Sequence, residues 1–417
     1  MIGVFTFGWL FFVPSPFSRL GDLAAVEQET WKTVATNDKE GGPKAVVNEG
    51  PSSIKQPSWE QLERGDAALE PRQPSVSGRR STTIVSAFFD MNKIGLKTKH
   101  DPSFYLTAGR DGVLSFDTPC VFFTDSPEET ARALRRAWKT HPSSLPVPDT
   151  FKIINISLMD LDVTKKHLKR IAELVPNDPE ARAYGYSAEL FTIYHAKPEM
   201  MRIAAEMNPF NTERFLWMDV GAVRDWGGID AAEYRFTQFP NPSREHLIGR
   251  DGRIVMGAVA GRNGTCPDNV RWVDAEHPEA TNGQSRLQKV RDPLEVPPER
   301  DWWIAGAIWG GHKDSLREYE SLYRHHLARY LARSDESKFA LIDQYLMGAL
   351  ACHSDLIEVV RPPLACCVDR VNRKWFFMLM YLKDQSYPRA PYTPAELAKR
   401  PLSSHCQYCD LVEDKKP

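Results

Sequence analysis

Asn208-Pro-Phe-Asn-Thr-Glu-Arg-Phe-Leu-Trp-Met-Asp-Val-Gly221 is the stretch on which the reading of the fold turns. Before it, Leu190, Ile193, Tyr194, Met200 and Ile203 recur at helical spacing over 189–207. Asn208-Pro-Phe-Asn211 then breaks the helix, because proline lacks the N–H that a helix needs. Arg214-Phe-Leu-Trp-Met218 is a short apolar run of strand length, and it ends at Asp219. Helix, break, strand and strand-end carboxylate is the signature of an α/β unit.

The same unit recurs on either side. Thr83-Ile-Val-Ser-Ala-Phe-Phe89 is β-branched and aromatic and ends at Asp90. Cys120-Val-Phe-Phe-Thr124 ends at Asp125. Ser126, Pro127 and Glu129 follow as N-cap, first helical residue and capping-box partner, ahead of Ala131, Leu134, Ala137 and Trp138. Residues 151–156 predict a third strand and 164–175 a helix. Further on, 253–259 and 302–309 predict strands, the latter running into a turn at Gly310-Gly311. Leu316, Tyr319, Tyr323, Leu327 and Tyr330 predict a helix, as do Phe339, Ile342, Tyr345, Leu346 and Leu350. Runs at 357–360 and 375–382 read as closing strands, and 261–299 as a long polar loop. Strands alternating with helices imply a mixed, mostly parallel sheet covered on both faces.

The flanks differ in character. Residues 1–18 open on an apolar run, Ile2–Val13, too short to span a bilayer and closer to the core of a secretory signal, though without the basic n-region. They are a candidate signal or membrane anchor for the secretory pathway or Golgi; a cytoplasmic chain with a buried N-terminal segment is the alternative. Residues 19–80 are rich in Glu, Pro, Ser and Gly and read as a stem or linker, 81–400 as the folded domain, and 401–417 as a tail. Sequons at Asn155-Ile-Ser157 and Asn263-Gly-Thr265 are weak support for secretion. Seven scattered cysteines make no disulfide framework, and Cys406-Gln-Tyr-Cys409 lacks the second pair that a zinc site needs. With 42% hydrophobic residues the chain can bury a large core. A net charge of −2, with no basic stripe, argues against a nucleic-acid partner.

Three strand-end carboxylates, Asp90, Asp125 and Asp219, are the first candidates for chemistry. Ligands of open α/β sheets bind outside the carboxyl ends of strands, where a carboxylate can hold a ribose hydroxyl or a hard cation such as Mg2+ or Mn2+. Each can equally cap the turn that follows it.

The sequence resembles the HtrL/YibB/WlaTC-type, glycosyltransferase-like proteins. The resemblance starts at Thr82–Asp90, continues at Val121-Phe-Phe-Thr124 and at Glu189-Leu with Lys197, and is sharpest at 208–221. More widely, the layout is similar to GT-A glycosyltransferases. That resemblance implies a GT-A-like α/β fold with a Rossmann-like nucleotide-binding half. It implies a nucleotide-sugar donor, a glycan or glycoconjugate acceptor, and Mn2+ or Mg2+. Carried over, Thr83, Ala87, Phe88, Phe89 and Asp90 line the nucleotide site at the first strand, and Asp219 is the first carboxylate of a D-x-D motif. Gly221 stands where the motif's second acidic residue belongs. Lys197 is placed to meet the diphosphate as a point charge. Gly306 to Gly311, followed by His312, resembles an acceptor-side segment, with Trp309, Gly310 and Gly311 as its substrate contacts. Asp343-Gln344 matches the place of an acidic residue facing the transferred sugar, with Asp343 as a catalytic base. His353 is a candidate second metal ligand beside Asp219. Trp217 reads as core, and Trp226, Trp302, Trp303 and Trp309 stay open between core and sugar stacking. A non-catalytic carbohydrate-binding or structural protein of the same fold is the rival reading. A hydrolase is disfavoured, since no G-x-S-x-G elbow is present.

Overall fold

The β-branched and aromatic runs form eight strands of one sheet. They are β1 (Thr82–Phe88), β2 (Cys120–Thr124), β3 (Phe151–Asn155), β4 (Arg214–Met218), β5 (Ile254–Ala258), β6 (Arg271–Asp274), β7 (Ile304–His312) and β8 (Ile357–Arg361). The computed structural model describes residues 81–94, 102–141, 147–223, 231–259, 271–274, 304–332, 341–361 and 377–383. The chain divides into two units, and every described residue belongs to the second, Val76–Pro417. The candidate anchor and stem at 1–80, the tail at 401–417, Trp226, Trp302, Trp303, Phe339 and the Asn263 sequon lie outside the described residues. Among the described residues no helix is long and apolar enough to cross a membrane.

The strand order is β3-β2-β1-β4-β7-β5-β8-β6. β3, β2, β1 and β4 form one parallel block, and β5, β8 and β6 a second. β7 runs antiparallel to both β4 and β5 between these two blocks. The expected mixed, mostly parallel sheet is what forms.

Helices cover both faces. One carries α1 (Pro102–Asp111), α2 (Pro127–Lys139) and α8 (Phe377–Lys383). The other carries α3 (Asp162–Leu174), α4 (Pro179–Tyr184), α5 (Ala188–Met207), α6 (Lys313–Leu331) and α7 (Asp343–His353). β4 shows how the period of two feeds both cores. Phe215 and Trp217 join the cluster under α5 and α6, and Leu216 and Met218 join the opposite one.

Four local expectations need correction. Residues 377–383 form a helix, not a strand: Phe-Met-Leu-Met-Tyr-Leu-Lys has no β-branched residue and is mostly good helix formers. The 261–299 stretch contains an edge strand, β6, paired with β8; the rest of it is outside the described residues. Ser126 precedes α2 as expected, but its hydroxyl donates to Asp125 Oδ1 instead of capping the helix. Finally, Gly310 and Gly311 do not form a turn, because β7 runs through them to His312.

Gly310 is required by close strand packing. A Cβ there would stand 2.3 Å from the backbone oxygen of Phe215 and 3.0 Å from Leu216 Cα. Backbone cannot move aside as a flexible side chain can. Gly310→Ala should therefore cost at least the upper end of the roughly 1–3 kcal/mol seen for overpacked cores, read as a lowered Tm. An unchanged Tm would show that β4 and β7 can separate without loss.

Candidate functional site

Asp219 is the first residue past β4, at the carboxyl edge of the parallel block. Its N–H donates to Ala307 O on β7 at 2.9 Å, and its own carbonyl accepts from Ala222 N at 2.8 Å, which closes the turn around Gly221. Trp217, two residues back and thus on the same face, donates its indole N–H to Asp219 Oδ1 at 2.7 Å. Trp217 is core, as expected, and also orients the carboxylate. The register pairs Val85 with Trp217, so Ala87 lies level with Asp219 on the neighbouring strand.

α5 supplies Lys197. The helix starts at Ser187, whose hydroxyl accepts from Leu190 N, and ends at Asn208 in the left-handed region. Asn208 also clamps Thr212: its Oδ1 accepts from Thr212 N at 2.9 Å and its Nδ2 donates to Thr212 O at 3.0 Å. That clamp turns the Asn-Pro-Phe-Asn break into the entry of β4. Two residues past Lys197, buried Glu199 accepts from the N–H groups of Asp162 and Val163 and caps α3, whose N-cap Leu161 has no side chain able to do so.

α7 supplies Asp343 as its first residue. Its approach is held by Asp178, fully buried, which caps α4 through Ala181 N and also accepts from Leu341 N at 2.7 Å. Gly306 on β7 lets α7 come in close. A Cβ there would sit 3.1 Å from Asp343 Oδ2 and 3.1 Å from Gln344 Cγ.

These three elements meet at one ammonium. Lys197 Nζ is 3.2 Å from Asp219 Oδ1, 3.0 Å from Asp343 Oδ2 and 3.2 Å from the carbonyl oxygen of Gly306. The rings of Tyr194 and Trp217 lie 5.1 and 5.9 Å from it, within cation–π range. Lys197 is 4% exposed and Asp343 2%, so both charges are held away from bulk water, whereas the Asp219 side chain keeps 35% of its surface. Burial raises the Asp343 pKa, with Asp219 adding to the rise and Lys197 opposing it. Burial lowers the pKa of Lys197, but the fields and hydrogen bonds of Asp219 and Asp343 outweigh it and the net shift is upward. Behind them His195 shares a 2.8 Å hydrogen bond with the Tyr323 hydroxyl, and burial pulls its pKa down to about 3, so its imidazole is neutral.

The other expected site residues divide between this edge of the sheet and the rest of the fold. Thr83 is at the far end of β1, about 16 Å from Phe88 at strand rise, and is bonded to Thr212 at 2.6 Å. Ala87 and Phe89 share the face of Asp219, but Phe88 packs in the opposite core. Asp90 accepts from Asn92 N in the turn after its own strand, whereas Asp125 accepts from Asp90 N and so ties the end of β2 to the end of β1. Trp309 is fully buried edge-on against Tyr319, and with Gly310 and Gly311 it lies inside the sheet, opposite Trp217, Leu216 and Phe215. Gln344 is half-buried against Gly306. Gly306, the first glycine of the 306–311 segment, does reach the site, and Trp217, read as core, joins it.

No family profile and no curated protein matches the sequence. Among solved structures, the chain is similar to the apo form of mouse xyloside xylosyltransferase 1. The identity is 12%, over 67% of this chain and 84% of that one, with a TM-score of 0.36. It is also similar to core-mannan synthase A of Aspergillus fumigatus in its Mn/GDP form. There the identity is 12%, over 69% of this chain and 74% of that one, with a TM-score of 0.37.

The resemblance to GT-A enzymes implies a divalent cation, and the described residues do not fit one. Gly221 offers no carboxylate. His353 closes the eleven-residue α7 that Asp343 opens, which sets it about 15 Å from Asp343 along the axis and out of reach as a shared ligand. Among the described residues no three His, Cys, Asp or Glu side chains gather to hold a metal ion. Cys352, beside His353, is disulfide-bonded.

Two measurements test the charge cluster. Lys197→Met leaves two close carboxylates without their cation and should destabilise the fold by roughly 3–5 kcal/mol; adding Asp343→Asn should recover part of the loss. A Lys197→Met protein as stable as the wild type would mean that the ammonium holds nothing together. The second concerns pH. The fold favours protonated Asp343, so its ionisation costs nothing below the ordinary aspartate range and the full penalty above the raised pKa. Asp343→Asn should therefore gain in Tm relative to the wild type as pH rises from about 4 to 7, near and above the reference aspartate value. A difference that shrinks over this window would contradict the burial penalty.

Proposed function

We propose that this chain is a glycosyltransferase that takes a nucleotide-sugar donor and passes the sugar to a hydroxyl of a glycan or glycoconjugate. The observation that carries this reading is the convergence of Asp219, from the carboxyl end of β4, and Asp343, from the start of α7, on Lys197. Residues far apart in sequence form one acid–base cluster at the sheet edge where α/β folds bind ligands. The resemblance of 208–221 to HtrL/YibB/WlaTC-type proteins supports the same assignment for Asp219.

The roles follow from exposure. Asp219 is open to solvent and accepts hydrogen bonds, as a ribose hydroxyl requires. Asp343 is buried with a raised pKa, which makes its carboxylate a stronger proton acceptor than an exposed one. As the acceptor oxygen bonds to the anomeric carbon, the bond from that carbon to the diphosphate breaks. The acceptor proton passes to Asp343, and the electron pair leaves with the nucleoside diphosphate. Gly306 and Gln344 shape the side of the site against α7.

Gly221 favours the second reading, a carbohydrate-binding protein that kept the fold without turnover. Calorimetric binding of UDP- and GDP-sugars, with product release as the rate measure, separates the two. Asp219→Asn should weaken donor binding about tenfold or more, the loss of one charge-assisted bond. Asp343→Asn should keep binding and lose roughly 10^2–10^4-fold in turnover. Equal binding by wild type and Asp219→Asn removes Asp219 from the site. Donor binding without any turnover in the wild type would favour the binding protein.

A further inference from the structure

The position between the two carboxylates is taken by the protein's own cation. Lys197 Nζ donates to Gly306 O and stands within ion-pair distance of Asp219 Oδ1 and Asp343 Oδ2. Its remaining sides face the rings of Tyr194 and Trp217. A Mg2+-like ion needs about six oxygens near 2.0–2.1 Å in octahedral array. Here the oxygens stand 3.0–3.2 Å from a centre already occupied by positive charge. To bridge Asp219 and Asp343, a divalent ion would have to displace a lysine that has only 4% of its surface exposed. Among the described residues no group of three His, Cys, Asp or Glu side chains forms at Asp219, and Gly221 adds no carboxylate. The missing second carboxylate and the buried lysine agree with each other: with a fixed cation in place, a second acidic ligand has no metal to hold.

We propose that the Lys197 ammonium stands in for the divalent cation of the D-x-D layout, so that this site takes its nucleoside diphosphate without a metal. This rests on the nucleotide-sugar reading above, but its central claim, exclusion of the cation, can be tested without any nucleotide.

The test is a titration of Mn2+ alone into the EDTA-stripped full chain, followed by calorimetry and by the Mn2+ EPR signal. Wild type and Asp219→Asn should give the same isotherm. Lys197→Met, which leaves the carboxylates facing each other, should gain a Mn2+ site that Lys197→Met/Asp219→Asn lacks. UDP and GDP should bind the wild type equally well in EDTA and in Mn2+. Mn2+ uptake by the wild type that Asp219→Asn abolishes would overturn the proposal, as would nucleotide binding lost in EDTA and restored by Mn2+. If Lys197→Met does not fold, the wild-type and Asp219→Asn comparison decides. If neither nucleotide binds in either buffer, the functional reading fails, while the Mn2+ titration still decides whether the ammonium excludes the cation.

Discussion

A lysine buried between two aspartates is the constraint on which the rest of this structure depends. Lys197 and Asp343 alone would each be costly so far from water, and the pair is tolerable only while the cluster with Asp219 keeps its distances. Lys197 comes from the middle of α5, Asp219 from the end of β4 and Asp343 from the start of α7, and Gly306 of β7 supplies the third oxygen around the ammonium. Four elements must therefore arrive together. The antiparallel insertion of β7 beside β4 makes this feasible, because it brings the start of β7 to the same sheet edge where β4 ends.

The surrounding polar groups hold those elements in place. Glu199 ties α5 to the first turn of α3, Asp178 ties α4 to the entry of α7, and Asn208 frames the loop that launches β4. Each satisfies backbone groups that would otherwise be orphaned in a buried setting. The site is thus rigid on the side of Lys197 and Asp343 and open at Asp219. A buried base beside an accessible hydrogen-bonding carboxylate follows from that asymmetry.

Much of the fold was legible in the sequence because its signals are local. β2 and β4 match their apolar runs residue for residue, and α5 differs from its periodic pattern by one residue at its start. Where a signal was ambiguous, the reading failed. The 377–383 run is too short for periodicity to separate helix from strand, and β6 is an edge strand in a polar stretch. Gly310 and Gly311 looked like a turn because glycine serves turns and tight strand packing alike. Thr83 and His353 were assigned along the chain, yet the length of a strand and of a helix carries each away from the site.

By itself, then, the sequence determined the alternation of strand and helix, the break at Asn208 and the presence of Asp219 at the carboxyl edge, since all of these rest on residue type and spacing within one segment. The partners of Asp219 were a matter for the tertiary structure. In sequence Lys197 is an ordinary helix lysine and Asp343 an ordinary helix start; in space they form one charge cluster with Asp219. An ion pair depends on distance between atoms and on removal from water. Neither is encoded by the spacing of residues along the chain.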